Sequence, residues 1–278
     1  MTSIQAHIRS AGAGPAVLLL HSSGSSGRQW QPLMEQLAGR MHCVAVDLHG
    51  HGGTTAWPHE RPLTLDDEVA LLTPLLDRLG PVHLVGHSYG GAVALKTATR
   101  HPDQVLSAAV YEPVLFRLLL DYHPRNATTL DVLRVGTSIR NAIRRGATAD
   151  AAERFVDYWS GAGTWSSLSS AQQPVIAARM PEVLRHFDAL FGDGLQRTHL
   201  GRLGMPVLCL TGSRTRPAMR RLGELLALAM PQAIHRRVPD ATHMAPVTKP
   251  ADVNAQFGAF LDWQVQRSAT RPTWLQAA

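Results

Sequence analysis

The sequence predicts an α/β protein whose core is a doubly wound, mostly parallel β-sheet. Two observations support this fold class. Short apolar runs alternate with amphipathic helical segments over most of the 278 residues, which is the pattern of parallel strands joined by crossover helices. In addition, one of these runs leads into Gly86-His87-Ser88-Tyr89-Gly90 and then into a helical segment. A serine at such a turn lies at the carboxyl edge of the sheet, where open α/β sheets place their sites.

The core strands and helices can be identified in chain order. Apolar and polar residues alternate at residues 4–10, which predicts a first, edge strand. A continuous apolar run at residues 16–20 predicts a strand that is covered on both faces. Further strands are predicted at residues 43–46, 81–85, 106–111, 206–210 and 233–238. Apolar residues at helical spacing predict helices at residues 28–37, 65–79, 92–100, 217–230 and 251–265. This alternation implies right-handed crossovers.

The strand pattern is absent between residues 114 and 203. This stretch instead carries three helical segments, at residues 129–145, 149–160 and 174–191. Because strand and helix alternate again directly afterwards, we predict one domain formed by residues 1–113 and 204–265, with residues 114–203 inserted as a helical cap, or lid. Residues 266–278 have no clear pattern, and we expect them to form a loosely held tail.

The turn around Ser88 has the features of a nucleophile elbow. Its flanking residues are Gly86 and Gly90, and glycine is needed there because a Cβ would collide with neighbouring backbone in so tight a turn. The backbone N–H of Tyr89 would begin the following helix, where it can face a developing negative charge. Ser88 is therefore the predicted nucleophile.

Composition excludes several other functions. The net charge is +6, but the basic residues are scattered, so the concentrated basic face of a nucleic-acid-binding protein is missing. Cys43 and Cys209 each lie in an apolar run, which predicts buried free thiols and no disulfide. His49 and His51 could supply only two metal ligands, so no metal site is predicted. The chain has neither a signal-peptide pattern nor an apolar run of membrane-spanning length, so we expect a cytoplasmic protein without a membrane partner.

A serine hydroxyl is a poor nucleophile and needs a base within reach, together with a third group that orients the base. The sequence contains 14 histidines, and His243 lies in the loop that leaves the last predicted strand. That loop is delivered to the same sheet edge as Ser88, and its place fits the chain order serine, acid, histidine. His243 is therefore the predicted general base.

With these residues in place, the sequence resembles the α/β-hydrolase fold family over nearly the whole chain outside the predicted cap. The resemblance rests on the elbow and on Leu20-His21, Asp47-Leu48-His49-Gly50-His51-Gly52 and His243-Met244-Ala245-Pro246. It implies an α/β-hydrolase core with the cap inserted after the sixth strand, and chemistry that uses no cofactor. It also implies an oxyanion hole made by two backbone N–H groups, which in this chain belong to Ser23 and Tyr89.

The acid of the expected triad departs from the usual family pattern. Most relatives carry an aspartate after the strand predicted at residues 206–210, where this chain has Thr215. Two carboxylates can substitute for it: Glu112, directly after the preceding sheet strand, and Asp240, three residues before His243. The chain resembles the zearalenone lactonases, which combine a glutamate-proline loop with a missing later aspartate. This resemblance favours Glu112, and Asp240 is interpreted as a turn residue.

These features predict a serine hydrolase that cleaves a small hydrophobic carboxylic ester or lactone through an acyl-enzyme. Four aromatic residues of the predicted cap are the candidate pocket-lining residues: Trp159, Trp165, Phe187 and Phe191. Two alternatives remain open, a carbon–carbon bond hydrolase that uses the same triad and a ligand receptor of the same fold with slow turnover. For the oligomeric state, both a monomer and a homodimer remain open.

Overall fold

The computed structural model describes residues 4–269. Within this range the strands are β1 (Ile8–Ala11), β2 (Ala16–Leu20), β3 (His42–Val46), β4 (Val82–His87), β5 (Val105–Tyr111), β6 (Val207–Gly212) and β7 (Ile234–Val238). They form one sheet in the order β1-β3-β2-β4-β5-β6-β7. Every neighbouring pair is parallel except β1 and β3, which are antiparallel. The predicted mostly parallel sheet and the edge position of the first strand are confirmed.

Thirteen α-helices occur in residues 4–269. They are α1 (Gln31–Leu37), α2 (Leu65–Leu79), α3 (Tyr89–Arg100), α4 (Phe116–Tyr122), α5 (Ala127–Arg144), α6 (Thr148–Ser160), α7 (Thr164–Ser167), α8 (Gln172–Ala177), α9 (Met180–Gly192), α10 (Arg197–Leu200), α11 (Pro217–Ala229), α12 (Ala245–Thr248) and α13 (Pro250–Ala269). A 3-10 turn at Gly27–Trp30 precedes α1. The start of α2 is fixed by a capping box in which Thr64 and Asp67 satisfy each other's backbone N–H groups.

The order of the strands reverses direction beside β2. The chain places β3 on one side of β2 and then crosses back to place β4 on the other side. In open α/β sheets, ligands bind at such a switch point, outside the carboxyl ends of the strands. Ser23 follows β2 and Ser88 follows β4, so the topology brings two of the predicted site residues to the switch point.

The sheet is buried on both faces because successive side chains of a strand point in opposite directions. Leu18 and Leu20 of β2 pack in one apolar layer with α2, α3 and the inserted helices. Val17 and Leu19 pack in a second layer with α1 and α13. All four side chains are fully buried, as continuous apolar strands predict.

The chain between β5 and β6 is helical, and it contains α4 to α10 without a strand. This stretch follows the fifth strand of the chain. The position after the sixth strand, which the family resemblance implied, is wrong, because only five strands precede residue 114 in the described residues. The helix predicted at residues 174–191 is two helices, α8 and α9. Pro181 lies in the first turn of α9, where its missing N–H is tolerated, whereas it would break a continuous helix.

The last helix is longer than predicted. It runs to Ala269, so the first four residues of the predicted 266–278 tail are helical, and residues 270–278 lie outside the described residues. None of the helices in residues 4–269 combines the length and the hydropathy that crossing a membrane requires.

Candidate active site

Ser88 lies in a strained turn between the end of β4 and the start of α3. Its backbone has a φ of 56° and a ψ of −116°, a region that residues with a side chain rarely adopt and that is enriched at functional sites. A Cβ on Gly86 would lie 2.4 Å from the carbonyl oxygen of Gly90, and a Cβ on Gly90 would lie 2.2 Å from that of Leu20. Close approach of the backbone therefore requires both glycines.

Hydrogen bonds join Ser88, His243 and Glu112 in a row. His243 Nε2 lies 3.0 Å from Ser88 Oγ, and His243 Nδ1 lies 2.7 Å from Glu112 Oε2. All three residues are buried. Strand register explains part of this arrangement, because His87 and Tyr111 at the ends of β4 and β5 are paired. Ser88 and Glu112 therefore leave adjacent strands side by side.

The Glu112 carboxylate accepts two further hydrogen bonds. The Gly212 N–H donates to Oε1 at 2.8 Å, and the Thr215 hydroxyl donates to Oε2 at 2.8 Å. The residue that stands where most relatives carry aspartate thus supports the carboxylate of the neighbouring strand. Asp240, the alternative acid, is an exposed residue with a φ of 50°. Its backbone N–H donates to Ser213 Oγ, so it belongs to a turn, and within residues 4–269 its carboxylate forms no hydrogen bond with His243.

The loop that carries His243 is anchored to the core by two hydrogen bonds. The His87 Nε2–H donates to the His243 carbonyl oxygen at 2.9 Å, and the Tyr111 hydroxyl donates to the Thr242 carbonyl oxygen at 2.6 Å. The Gln29 side-chain amide lies 3.1 Å from the other ring nitrogen of His87. Burial lowers the pKa of His87 well below its ordinary value, so the ring is neutral and can donate at one nitrogen while it accepts at the other.

The loop after β2 is fixed by the same glutamine. Gln29 Oε1 accepts from the N–H and the hydroxyl of Ser22, at 3.1 Å and 2.9 Å. The next residue, Ser23, borders the same cavity as Ser88 and Tyr89. In the described part of the chain, the backbone N–H groups of Ser23 and Tyr89 donate to no protein acceptor. The fold therefore uses neither N–H group for a hydrogen bond within the described residues.

The cavity has a volume of about 350 Å³ and opens onto Ser88 and His243. Most of its remaining wall is apolar and comes from the inserted helices. Of the four predicted pocket-lining residues, Trp159 and Phe187 line it. The ring of Trp159 lies 4.2 Å from the His243 ring, measured between centroids, so the indole covers the predicted base.

The other two predicted pocket-lining residues, Trp165 and Phe191, do not line the cavity. Phe191 lies one helical turn beyond Phe187 and packs against Phe116, with 5.3 Å between ring centroids. Trp165 belongs to the short helix α7, whose backbone is held by Asp157. Lining residues that were not predicted include Phe155, Leu168, Ile176, Leu190 and Met244. Phe155 could have been found, because it lies four residues before Trp159 and so shares its helix face.

A buried polar cluster lies behind the cavity wall. The Tyr89 hydroxyl donates to Glu68 Oε1 at 3.1 Å, and burial raises the pKa of Glu68 to about 8. His186 of α9 is fully buried beside them, with its ring stacked on Tyr89 at 3.7 Å and on His51 at 4.5 Å. Glu68 and His186 carried no signal in the sequence beyond being polar residues on apolar helix faces. No group of three or more potential metal ligands occurs in residues 4–269.

Comparison with known proteins identifies the family. The sequence profile described as the Alpha/beta hydrolase family matches residues 17–256. The chain belongs to the α/β-hydrolase family. This match includes Ser88, Glu112 and His243 as well as the inserted helices. The resemblance proposed from the sequence motifs is therefore confirmed for the family and for the fold.

Relatives within the α/β-hydrolase family include esterases. The chain is 28% identical to the pimeloyl-[acyl-carrier protein] methyl ester esterase of Chromobacterium violaceum over 85% of this chain and 90% of that protein. It is 34% identical to lipase LipV of Mycobacterium tuberculosis over 65% of this chain and 62% of that protein. A crystal structure of a carboxylesterase from Nitrososphaera gargenis superposes with a TM-score of 0.74 at 19% identity, covering 95% and 97% of the two chains. Family and relatives together show a hydrolase.

Proposed function

We propose that this α/β hydrolase cleaves a small hydrophobic carboxylic ester or lactone through an acyl-enzyme on Ser88. The observation that carries the proposal is the row of hydrogen bonds from Ser88 through His243 to Glu112, which faces an apolar cavity. A hydroxyl, an imidazole and a carboxylate in this order are the arrangement that activates a serine for acyl transfer.

In acylation, Ser88 Oγ attacks the substrate carbonyl and His243 Nε2 takes the hydroxyl proton. Glu112 accepts the hydrogen bond from His243 Nδ1–H, which fixes the tautomer that can receive this proton and stabilises the imidazolium that forms. The three hydrogen bonds that Glu112 accepts hold the carboxylate in place within the protein. These hydrogen bonds replace the contacts to water that the carboxylate gives up on burial.

The tetrahedral intermediate carries its negative charge on the former carbonyl oxygen. In our proposal the N–H groups of Ser23 and Tyr89 bind this oxygen, and the Tyr89 N–H does so at the N-terminus of α3, where the helix dipole favours negative charge. Collapse of the intermediate passes the proton from His243 to the departing alkoxide. Water, activated by the same imidazole, then releases the acid and restores Ser88.

The cavity supports a small hydrophobic substrate. Its volume of about 350 Å³ lies at the lower end of the range for small-molecule sites. Apolar side chains such as Trp159 and Phe187 form its wall, and they would gain by covering an apolar acyl or alcohol group. A lactone differs from an open ester only in that its leaving alkoxide stays attached to the acyl group, so the same residues suit both.

The proposal is tested with a panel of esters, lactones and thioesters of varied chain length, assayed together with a phosphonate ester that labels reactive serines. We expect turnover of at least one class and labelling that peptide mapping places on Ser88. A wild-type protein that turns over none of the panel, or a label on another residue, would refute the proposal. The ligand-receptor alternative instead predicts tight binding with very slow cleavage, which single-turnover kinetics would detect.

A further inference from the structure

His186 touches both residues to which we assign the oxyanion hole. Its Nδ1 lies 2.8 Å from the Ser23 hydroxyl oxygen. Its ring lies flat on the Tyr89 ring, at 3.7 Å between centroids and with 4° between planes. His186 belongs to α9 and is separated from Ser23 by 163 positions along the chain. One side chain of the inserted helices therefore contacts both loops that the core supplies to the switch point.

From this contact pattern we propose that His186 is a positioning residue, which sets the orientation of the two oxyanion N–H groups from the inserted helices. The proposal rests on the proposed function, since the oxyanion hole belongs to that mechanism. His186 does not reach the reacting atoms in it. It acts by holding the Ser23 side chain, and hence the Ser23 peptide, against the first turn of α3.

The surroundings of His186 favour a fixed, neutral ring. The side chain is fully buried, and burial lowers its pKa well below the ordinary value. His51 stacks on the ring at 4.5 Å and accepts a hydrogen bond from the Gly24 N–H at 3.0 Å. His51 therefore also holds the loop after β2. A neutral ring beside a partly buried hydroxyl forms a hydrogen bond of definite direction, which limits the rotamers of both side chains.

The second ring nitrogen is not satisfied in this way. His186 Nε2 is buried without a hydrogen-bond partner and lies 3.8 Å from Glu68 Oε1, which is beyond hydrogen-bonding distance. Glu68 in turn accepts from the Tyr89 hydroxyl and from the His49 N–H. A buried polar atom without a partner is costly, and such a cost is tolerated where the other contacts of the residue serve a function.

A second hydrogen bond joins the inserted helices to the same loop. Arg179, immediately before α9, donates to the Gly24 carbonyl oxygen at 2.8 Å. Ser23 and Gly24 are thus both hydrogen-bonded to the inserted helices, Ser23 to His186 in the middle of α9 and Gly24 to Arg179 just before it. Together with Gln29 at Ser22 and His51 at Gly24, these side chains hold a loop whose own residues are small and polar.

The test compares four variants at equal folded fraction: His186→Phe, His186→Asn, Ser23→Ala and the double variant His186→Phe with Ser23→Ala. Phenylalanine keeps the stack on Tyr89 and removes the hydrogen bond, whereas asparagine returns a polar atom near the place of Nδ1. His199→Phe is the matched control, because His199 is an exposed histidine of α10 and lies away from the cavity.

Removing a direct oxyanion donor costs about 10²–10³ in kcat, so we expect misorientation by His186→Phe to cost about tenfold in kcat with KM within about twofold. Ser23→Ala should lose a similar factor. The kcat of the double variant should be within about twofold of that of either single variant, because each single substitution already removes the same hydrogen bond between Ser23 and His186. His186→Asn should recover most of the loss. Unchanged kcat in His186→Phe or in Ser23→Ala, losses that multiply in the double variant, or no recovery with asparagine would each overturn the proposal.

Labelling separates this inference from the proposed function. The rate at which a phosphonate ester modifies Ser88 also depends on stabilisation of the phosphoryl oxygen, so it should fall in His186→Phe and recover in His186→Asn even if no ester of the panel is turned over. Turnover by the wild type with equal labelling rates in all variants would refute the role of His186 alone. A wild-type protein that is not labelled at Ser88 would refute both proposals.

Discussion

The two sides of the cavity are built differently. On the core side, Ser88 and Glu112 both have positive φ and follow the ends of adjacent strands. Their polar side chains are hydrogen-bonded within the protein. On the opposite side, the inserted helices contribute mainly apolar surface, and the helices are joined by loops. The core side holds a few groups in fixed positions, whereas the helical side provides shape.

This difference indicates which properties each side controls. A polar group that is buried and hydrogen-bonded cannot be altered without a large cost, because its partners are left unsatisfied. An apolar wall can change its contour at a smaller cost, because its contacts are numerous and weak. We therefore expect substitutions on the core side to change the rate of reaction and substitutions of the apolar wall residues on the helical side to change the choice of substrate. His186 is the polar exception on the helical side, because its hydrogen bond to Ser23 links it to the core side.

The largest effect should come from Ser88→Ala, which removes the proposed nucleophile and leaves the rest of the cavity. We expect kcat to fall by roughly 10⁴–10⁶, as for the loss of a serine nucleophile in a protease triad. Steady-state kinetics on the best substrate of the panel measures this loss. An exposed serine, Ser166, supplies the control Ser166→Ala, and activity retained by Ser88→Ala would show that the chemistry lies elsewhere.

The next largest effect should come from Glu112→Gln, which keeps the shape of the side chain and removes its charge. We expect a loss of at least about a hundredfold in kcat, smaller than the roughly 10⁴ seen in the protease template because neighbouring groups still orient His243. Asp240→Asn is the matched control and should stay within about threefold of wild type, since an exposed turn carboxylate contributes little.

Both acid variants should be compared at equal folded fraction, which circular dichroism can monitor. Glu112 is buried and accepts hydrogen bonds from Gly212 and Thr215, so its substitution also affects stability. An active Glu112→Gln together with an inactive Asp240→Asn would move the acid to the histidine loop.

A smaller effect should follow from Trp159→Ala, because this change removes apolar wall next to His243 and enlarges the cavity there. We expect the ratio of kcat/KM between a bulky and a small ester to rise about tenfold, the scale at which apolar pockets discriminate. Trp165→Ala is the control, since Trp165 does not line the cavity. Equal shifts in both variants would mean that the effect is a general loosening of the inserted helices.

The smallest effect on turnover, but a definite effect on stability, is expected for Glu68→Gln. Burial raises the pKa of Glu68 to about 8 from an ordinary value of 4.5, so between these values the folded state holds a proton that the unfolded state has lost. The free energy of unfolding should therefore fall as pH rises through this window, by up to about 1.4 kcal/mol per pH unit from this group.

Glu68→Gln removes this ionisation and should flatten the decline. Urea unfolding at pH 5 and pH 8 measures it, and Glu60→Gln, which changes an exposed carboxylate, is the control. Identical pH slopes for wild type and Glu68→Gln would contradict the expectation.

The sequence predicts the core side much better than the helical side. The elbow, its glycines and the strand ends are local patterns, so the turn at Ser88 and the succession of strands and helices along the chain could be predicted without long-range information. The hydrogen bond between His243 and Glu112 spans 131 positions. It could be predicted only because a threonine, Thr215, occupies the position where an acid is usual in the family that the sequence resembles. By contrast, nothing local distinguishes Phe187, which lines the cavity, from Phe191 one turn later.

His186 was missed for a related reason. A histidine among apolar residues on a helix is compatible with a core, surface or site position until the partner loop is known. Pro181, however, was an available signal for the break between α8 and α9, because a proline inside a predicted helix marks its end. The other differences between the predicted and the observed site thus arise where distant segments of the chain meet. The helix break alone was marked locally, by Pro181.

The contact between Thr215 and Glu112 also bears on how such a protein can diverge from its relatives. Because the Thr215 hydroxyl lies 2.8 Å from the Glu112 carboxylate, the two positions converge on one point beside the imidazole. A chain with acids at both positions would keep one of them ionised while the other takes up a proton, since adjacent carboxylates do not both ionise readily. An ancestor of that kind would remain active while either acid was lost. Under the proposed mechanism, we therefore expect that the acid can pass from one strand to its neighbour in two successive substitutions, without an inactive intermediate.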